Sequence, residues 1–379
     1  IMEMKRRKVE KEKLPRDTIG LFNLNNKSLH KIANVKSYKL PEKWSGFIAY
    51  TYDRTPLNEN NKLKDSIKSE RGYPLIIRNL KTNKEDTIPF VTNYTFAKEE
   101  MVLSYTTTGI KDSINSGVYI RNLKLSKSKQ VHQSHYKTKY FQLNLSNSGN
   151  KLAFVSDADS TKTFQRPYEL YKWNSSINKA NLILDGNSSP NGYKISSDGD
   201  IKFSKDESKL YFGLAIPKII QDTLLLEEEI VNVEVWTYDE PRLYTVQEKQ
   251  VDNDLKKSYK TVYHLKDDRL IQIATKEFPN AIISNEGDAD YALISNPAPY
   301  QLSSQWTALY SMNDLAVINI NNGDKKLAIQ ANPSTARLSP NGEYAFGYNQ
   351  VDSTWYTYNI KTSKYLELTK GKVFYDELN

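Results

Sequence analysis

The sequence predicts an all-β fold, and three observations carry that prediction. The first is composition: 26 Tyr, 12 Phe and 5 Trp make 11% of the 379 residues aromatic, and aromatic and β-branched runs favour pleated surfaces over helices. The second is a hairpin that recurs along the chain. The third is a different hairpin that recurs between the copies of the first, so that the two alternate as a four-stranded unit.

The first hairpin is a short apolar strand, a polar turn and a second strand. It reads as Leu21–Ile32, Ile76–Ile88, Tyr119–Lys124, Leu170–Asn174, Val262–Lys266, Leu315–Gly323 and Tyr356–Thr362. Aligned on Asn23, Asn79, Asn122, Trp173, His264, Asn319 and Asn359, the copies fall at intervals of 56, 43, 51, 91, 55 and 40 residues. With the 91 set aside the mean is 49, a period interrupted by one insertion. The second hairpin reads as Leu145–Phe154, Phe203–Phe212 and Leu338–Phe346, with weaker copies at Leu40–Tyr50, Phe96–Ser104 and Ile283–Tyr291. Its turns are rich in Ser, Pro, Asn and Gly. Proline presets φ at the second turn position, and Gly or Asn accepts the left-handed position that closes the turn.

Two hairpins per period make a four-stranded antiparallel meander of about 45–50 residues, the blade of a β-propeller. Such a sheet has two apolar faces and covers neither alone, so blades stack face to face. Six complete blades are expected at 36–90, 92–132, 139–184, 201–273, 279–330 and 334–369, preceded by a half-blade at 18–33. The whole chain, 1–379, then reads as one propeller domain. After residue 369 too few residues follow to complete the half-blade, and the chain opens on Ile1. The expectation is a segment of a longer protein with about seven or eight blades in all.

The long interval contains an insertion at 215–258. Within it, Gln221–Glu229 is helix-compatible, Val231–Tyr238 alternates as a strand does, and Gln247–Lys260 is polar and helix-compatible. Insertions of this kind emerge at the rim of a propeller, where they meet a partner domain or a ligand.

Charge and chemistry exclude more than they assign. The net charge of +8, with a pI of about 9.1, is mild for this length. The basic run Met4–Lys8 is followed at once by Glu10 and Glu12, so it reads as a solvated terminus rather than a nucleic-acid contact. No apolar run approaches the roughly 20 residues of a membrane-spanning helix. There is no cysteine, which removes thiol catalysis, disulfides and thiolate metal sites. Of the four histidines, His132 and His135 are three apart without an adjacent carboxylate, and they read as structural rather than as a metal pair. Asp157 and Asp159 lack the spaced acidic set of a calcium loop. No Gly-x-Ser-x-Gly nucleophile turn and no phosphate-binding glycine motif occurs; Gly186–Gly192 has the wrong spacing. No catalytic residue, metal or cofactor is therefore expected in this chain. The sharpest local feature is Glu227, Glu228 and Glu229, three carboxylates on the insertion that suit an ammonium group such as a peptide amino terminus, although a solvated helix end has the same composition. Trp236 reads as a packing anchor.

At this point the residues resemble a known family. Phe203–Gly213, Val233–Arg242 and Thr261–Leu265, with Leu338–Tyr344, Trp355–Ile360, Leu368–Gly371 and Phe374–Glu377, resemble the N-terminal propeller of prolyl oligopeptidase and dipeptidyl peptidase family serine peptidases, and in particular the large secreted bacterial members. The likeness covers most of the chain, best from about 168 to 377. It implies an α/β-hydrolase domain with a Ser-Asp-His triad beyond residue 379, hydrolysis of short peptides, a propeller that restricts access to that triad, and a periplasmic or extracellular location. In dipeptidyl peptidases of the family a glutamate pair on a propeller insertion holds the substrate's amino terminus, which the resemblance carries to Glu227–Glu229. The alternative is a stand-alone propeller that acts as a protein- or ligand-binding scaffold without enzymatic activity.

Overall fold

The computed structural model describes residues 17–52, 72–111, 113–159, 161, 163, 165–186, 188–219, 224–229, 237–284, 286–305 and 311–371. These residues are an all-β protein of propeller blades. A two-stranded hairpin comes first, β1 (Ile19–Phe22) with β2 (Leu29–Ile32). The first blade is β3 (Val35–Lys39), β4 (Phe47–Tyr52), β5 (Tyr73–Asn79) and β6 (Glu85–Phe96), and the second continues from β6 through β7 (Val102–Thr107), β8 (Ser116–Asn122) and β9 (Lys127–Ser134). The third is β10 (Lys139–Leu145), β11 (Lys151–Asp157), β12 (Glu169–Asn174) and β13 (Asn181–Leu184). In the fourth, β14 (Lys194–Ile195) and β15 (Lys202–Phe203) both pair with β16 (Lys209–Ala215), which continues to β17 (Tyr259–His264) and β18 (Arg269–Gln272). The fifth is β19 (Asn280–Ile282), β20 (Tyr291–Asn296), β21 (Asn313–Asn319) and β22 (Lys325–Asn332). The sixth is β23 (Arg337–Leu338), β24 (Tyr344–Asn349), β25 (Thr354–Asn359) and β26 (Tyr365–Glu367).

Both turn types follow from their residues. At the third-to-fourth strand turns, Asn23, Asn79, Asn122, Asn174, Asn319 and Asn359 each accept backbone N–H bonds from two or three residues on through Oδ1, at 2.8–3.4 Å. The residue four positions later is left-handed in six of the seven turns, at Lys27, Asn83, Ser126, Asp268, Gly323 and Ser363. The third-blade counterpart of Asn79 is thus Asn174, one residue after the Trp173 that the alignment expects. At the first-to-second strand turns a serine does the same work. Ser146, Ser204, Ser284 and Ser339 accept from the N–H five residues on, and the third residue after each is left-handed: Gly149, Glu207, Gly287 and Gly342.

A second strand with a blade on either side is buried on both faces, as β20 shows. Along β20, Ala292 and Ile294 join Tyr211, Val262 and Ile318 in one cluster with the fourth blade, while Leu293 turns the other way to Ala345, Tyr358 and Ile360 of the sixth. Leu152 and Phe154 pack likewise with Ala97, Val118 and Val131 of the second blade. Each such side chain contributes about 1.5–3 kcal/mol by leaving water. Ile19 and Leu21 of the leading hairpin lie against Ile32, Val35, Ile48, Tyr50 and Ile76.

One boundary differs from expectation. No gap separates the first two blades near residue 91, because β6 runs unbroken for 12 residues. Its first half pairs with β5 and its second with β7, and Val91 is partnered by both Tyr73 and Thr107. Phe90 is left-handed, at φ 61°, so the strand turns to serve both sheets instead of ending. The chain divides into two compact units, Ile1–Thr161 with Tyr171–Leu182, and Lys162–Leu170 with Ile183–Asn379; the division passes through the ends of β12 and β13.

Candidate functional site

The long connections of the chain are those that join the second strand of a blade to its third. The connections from second to third strand are 53–72, 108–115, 158–168, 216–258, 297–312 and 350–353, whereas those from first to second or third to fourth never exceed eight residues. Loops carry recognition while the sheets that hold them stay constant. In the second unit, the two longest of these connections meet.

The first is the insertion. Its helix α1 is Tyr244–Leu255, which begins three residues before the expected helix and stops where Tyr259 enters β17. Arg242 anchors its start: one guanidinium nitrogen donates to Asp254 Oδ2 at 2.7 Å and the other to Gln250 Oε1 at 2.8 Å. That hydrogen bond holds the Asp254 carboxyl below the usual carboxylate range. Gln247 Nε2 closes the corner onto the Arg242 carbonyl at 2.7 Å. The second connection contains helix α2 (Gln301–Ser304). Just after it, Gln305 Nε2 donates to the carbonyls of Glu240 and Pro241 at 3.1 and 2.7 Å, tying the insertion to the fifth blade.

In the same unit, residues of the fifth blade and of the connection that follows it line a hollow of about 290 Å³. Its walls are Ile282, Leu293, Met312, Leu315 and Ala336, with the neutral polar groups of Asn280, Ser295, Asn313 and Thr335 among them. Among the described residues of the lining no side chain is ionisable. Such a hollow takes an uncharged side chain or a small neutral group and offers hydrogen bonds at its edge.

Glu227–Glu229 form a single 3-10 turn on the same insertion. Glu228 and Glu229 are exposed, and Glu229 Oε2 accepts the Leu226 N–H at 2.9 Å. The expected strand at Val231–Tyr238 falls mostly, and Trp236 wholly, outside the described residues. His132 and His135 do not converge. His132 is enclosed by Tyr140, Phe154 and Tyr171, whereas His135 packs beside Tyr136 and accepts the Lys137 N–H. Asp157 and Asp159 stabilise their own loop, Asp159 accepting from Thr161 at 2.6 Å. Asp185 and Ser188 do the same in the Gly186–Gly192 segment. Among the described residues no group of three or more His, Asp or Glu is placed to hold a metal ion. The hollow and the tether were not foreseen from sequence; the length of 297–312 was the available signal.

No protein-family model matches the chain, and no curated protein sequence matches it. Among solved structures, the chain is similar to the β-propeller domain of the Trilobed protease from Pyrococcus furiosus, at 12% identity and a TM-score of 0.40 over 88% of this chain and 85% of that one. It is similar to the tricorn protease at 10% identity and a TM-score of 0.39, covering 95% of this chain but 33% of that one. A third likeness is to a prolyl endopeptidase, at 9% identity and a TM-score of 0.41, covering 93% and 47%. At these values the likenesses assign no family and no activity; the blade architecture stands on the sheets themselves.

Proposed function

We propose that this chain is the non-catalytic, substrate-gating propeller of a serine peptidase that hydrolyses short peptides. The observation that carries the reading is the joining of two long connections, the acidic insertion and 297–312, in a unit that also holds a hollow lined by uncharged groups. Those are parts for receiving and sorting a peptide, not for cleaving it. The resemblance of Phe203–Gly213 and the other quoted segments to prolyl oligopeptidase propellers supports the same reading. In it, an α/β-hydrolase domain of the same polypeptide supplies the Ser-Asp-His triad, the protein works in the periplasm or outside the cell, and Glu228 and Glu229 with Glu227 hold the peptide's ammonium group.

Fluorophosphonate labelling tests the division of labour. The 379-residue chain stays unlabelled, while the full gene product is labelled and cleaves short peptides. Labelling of the isolated chain, or a full gene product without a nucleophile serine, overturns the peptidase reading; the latter outcome leaves the binding scaffold. For the glutamates, Glu228→Gln/Glu229→Gln weakens binding of a short peptide with a free amino terminus and leaves its N-acetylated form unchanged, measured by calorimetry.

A further inference from the structure

By sequence, the first unit carries 31 Lys and Arg against 16 Asp and Glu, a net +15, and the second 22 against 29, a net −7. Part of the first unit's excess has a definite place among the described residues. The third-to-fourth strand turns of the leading hairpin and of the first three blades hold Lys27, Lys81, Lys84, Lys127 and Lys179, all exposed. Contacts within the unit set these turns side by side. Arg78, next to the first blade's turn, donates to His30 Nε2 of the hairpin at 3.0 Å. Arg121, next to the second blade's turn, donates to Asp86 of the first blade at 2.5 Å. In the third blade's turn, Ala180 N donates to Val131 O of the second blade at 2.7 Å, and Ile177 O accepts from Lys129 at 3.0 Å.

The carboxylates along this rim are already engaged. Glu85 takes Arg78 at 3.0 Å, Asp86 takes Arg121, and Glu100 takes Lys124 at 3.5 Å. Both arginine side chains are only 12% exposed, so the cations that face water here are lysines. Among the described residues none of the five is in an ion pair. Apolar side chains stand among them: in the same turns Leu24 is 83% exposed, Leu125 65% and Leu80 41%. The matching turns of the second unit lack the combination. There Arg269 pairs with Asp267 and Lys325 with Glu277, and Ile320 and Ile360, which follow the turn asparagines, are buried.

Lysine and leucine exposed together on neighbouring turns restrict what fits. A nucleic acid or other polyanion satisfies the lysines but leaves the leucines in water. A folded protein must offer a separate hole to each of three protruding leucines. A bilayer takes both without shape matching: anionic headgroups attract the lysines, whose stems bury along the surface, and leucines enter the boundary between headgroups and acyl chains. We propose that this rim seats the first unit on an anionic lipid surface, with the five lysines at the phosphates and Leu24, Leu80 and Leu125 inserted. The seat is peripheral and reversible, and salt weakens it. It does not rest on the peptidase reading.

Vesicle flotation tests this with the 379-residue chain. At about 100 mM salt the chain floats with phosphatidylcholine vesicles containing about one third phosphatidylglycerol, and not with phosphatidylcholine alone. Lys81→Gln/Lys84→Gln/Lys127→Gln weakens partitioning at least about tenfold, since each lysine at such a surface contributes a factor of about five. Leu24→Ser/Leu125→Ser weakens it as well, with circular dichroism unchanged because both side chains are exposed. Lys361→Gln/Lys364→Gln, in the corresponding turn of the sixth blade, leaves partitioning as it was. A chain that ignores anionic vesicles overturns the proposal, as does equal floating with neutral ones. Binding that the leucine pair does not change, with equal retention on single-stranded DNA, overturns it in favour of a polyanion site. Equal losses from the lysine substitutions of both units overturn the placement on this rim.

Discussion

Ser126 sits left-handed at φ 53° in the turn where the fifth blade places Gly323 at φ 84°. A side chain with a Cβ costs about 1–2 kcal/mol in that conformation, and glycine gives part of the gain back through its freer unfolded chain. Ser126→Gly therefore raises stability by roughly 0.5–1 kcal/mol, read as a higher urea midpoint at unchanged slope. His132 is the opposite case, a residue that suits its surroundings only in one charge state. Its ring meets Tyr140, Phe154 and Tyr171, its Nδ1 lies 3.0 Å from Tyr140 Oη, and burial pushes its pKa down from 6.5 to about 4. The unfolded chain therefore takes up the proton first as pH falls. The stability due to the neutral ring is complete above pH 6.5 and is lost progressively as the pH falls to about 4. His132→Phe removes this part of the pH dependence. At pH 7 it costs about 1 kcal/mol for the lost hydrogen bond, and between pH 6.5 and 4 its unfolding midpoint falls less than that of the parent. Equal pH slopes for parent and variant would contradict the assignment.

At the scale of the element, the fourth blade shows what sequence conveys and what it hides. Its first strand is split into β14 and β15, and the chain between them arches over β16, with Ser196 N donating to Gly213 O at 3.0 Å. The arch is possible because Gly199 faces Gly213: a Cβ on Gly213 would stand 2.7 Å from Gly199 Cα and 2.9 Å from Ser258 Cβ. Gly213→Ala must push backbone aside and costs about 1–3 kcal/mol. Hydrogen exchange at Ser196 and Ile195 then speeds up, while the sixth blade is unaffected; an unchanged exchange pattern would mean the arch is not held by this contact. Nothing in the sequence announces the arch, since its cause is a pair of glycines fourteen residues apart. The hairpin turns were legible because their cause is local: Ser339-Pro-Asn-Gly342 and Asn319 to Gly323 carry both the side-chain acceptor and the left-handed residue. The continuity of β6 was hidden for the converse reason. Pro89 and Phe90 look like a break, and only pairing with β5 and β7 on opposite sides turns that break into a bend. The insertion's helix was legible to within a few residues; the tether from Gln305 was not, because its partners are backbone carbonyls of another blade.

For the whole molecule, a net charge of +8 describes neither part of the chain, since it is the residue of +15 and −7. Each unit contains apolar clusters of its own. The clusters containing Leu152, Leu103 and Tyr50 lie in the first unit, and those containing Ile294 and Leu293 in the second. Cooperativity follows shared burial, and a unit with clusters of its own can unfold in its own step. Urea denaturation is therefore expected to show two transitions. Leu152 and Leu293 are both fully buried, and truncating either to alanine costs about 2–5 kcal/mol through lost transfer energy and the cavity left behind. Leu152→Ala lowers one midpoint and Leu293→Ala the other, and the double variant lowers both by the same amounts, because sites without shared partners add. Near-ultraviolet circular dichroism separates the steps, since the aromatic cage around His132 reports on the first unit and the stacked Tyr356 and Tyr365 on the second. A single transition shifted equally by both substitutions would show that the blades of the two units melt as one, and that the division marks a charge boundary without an energetic one.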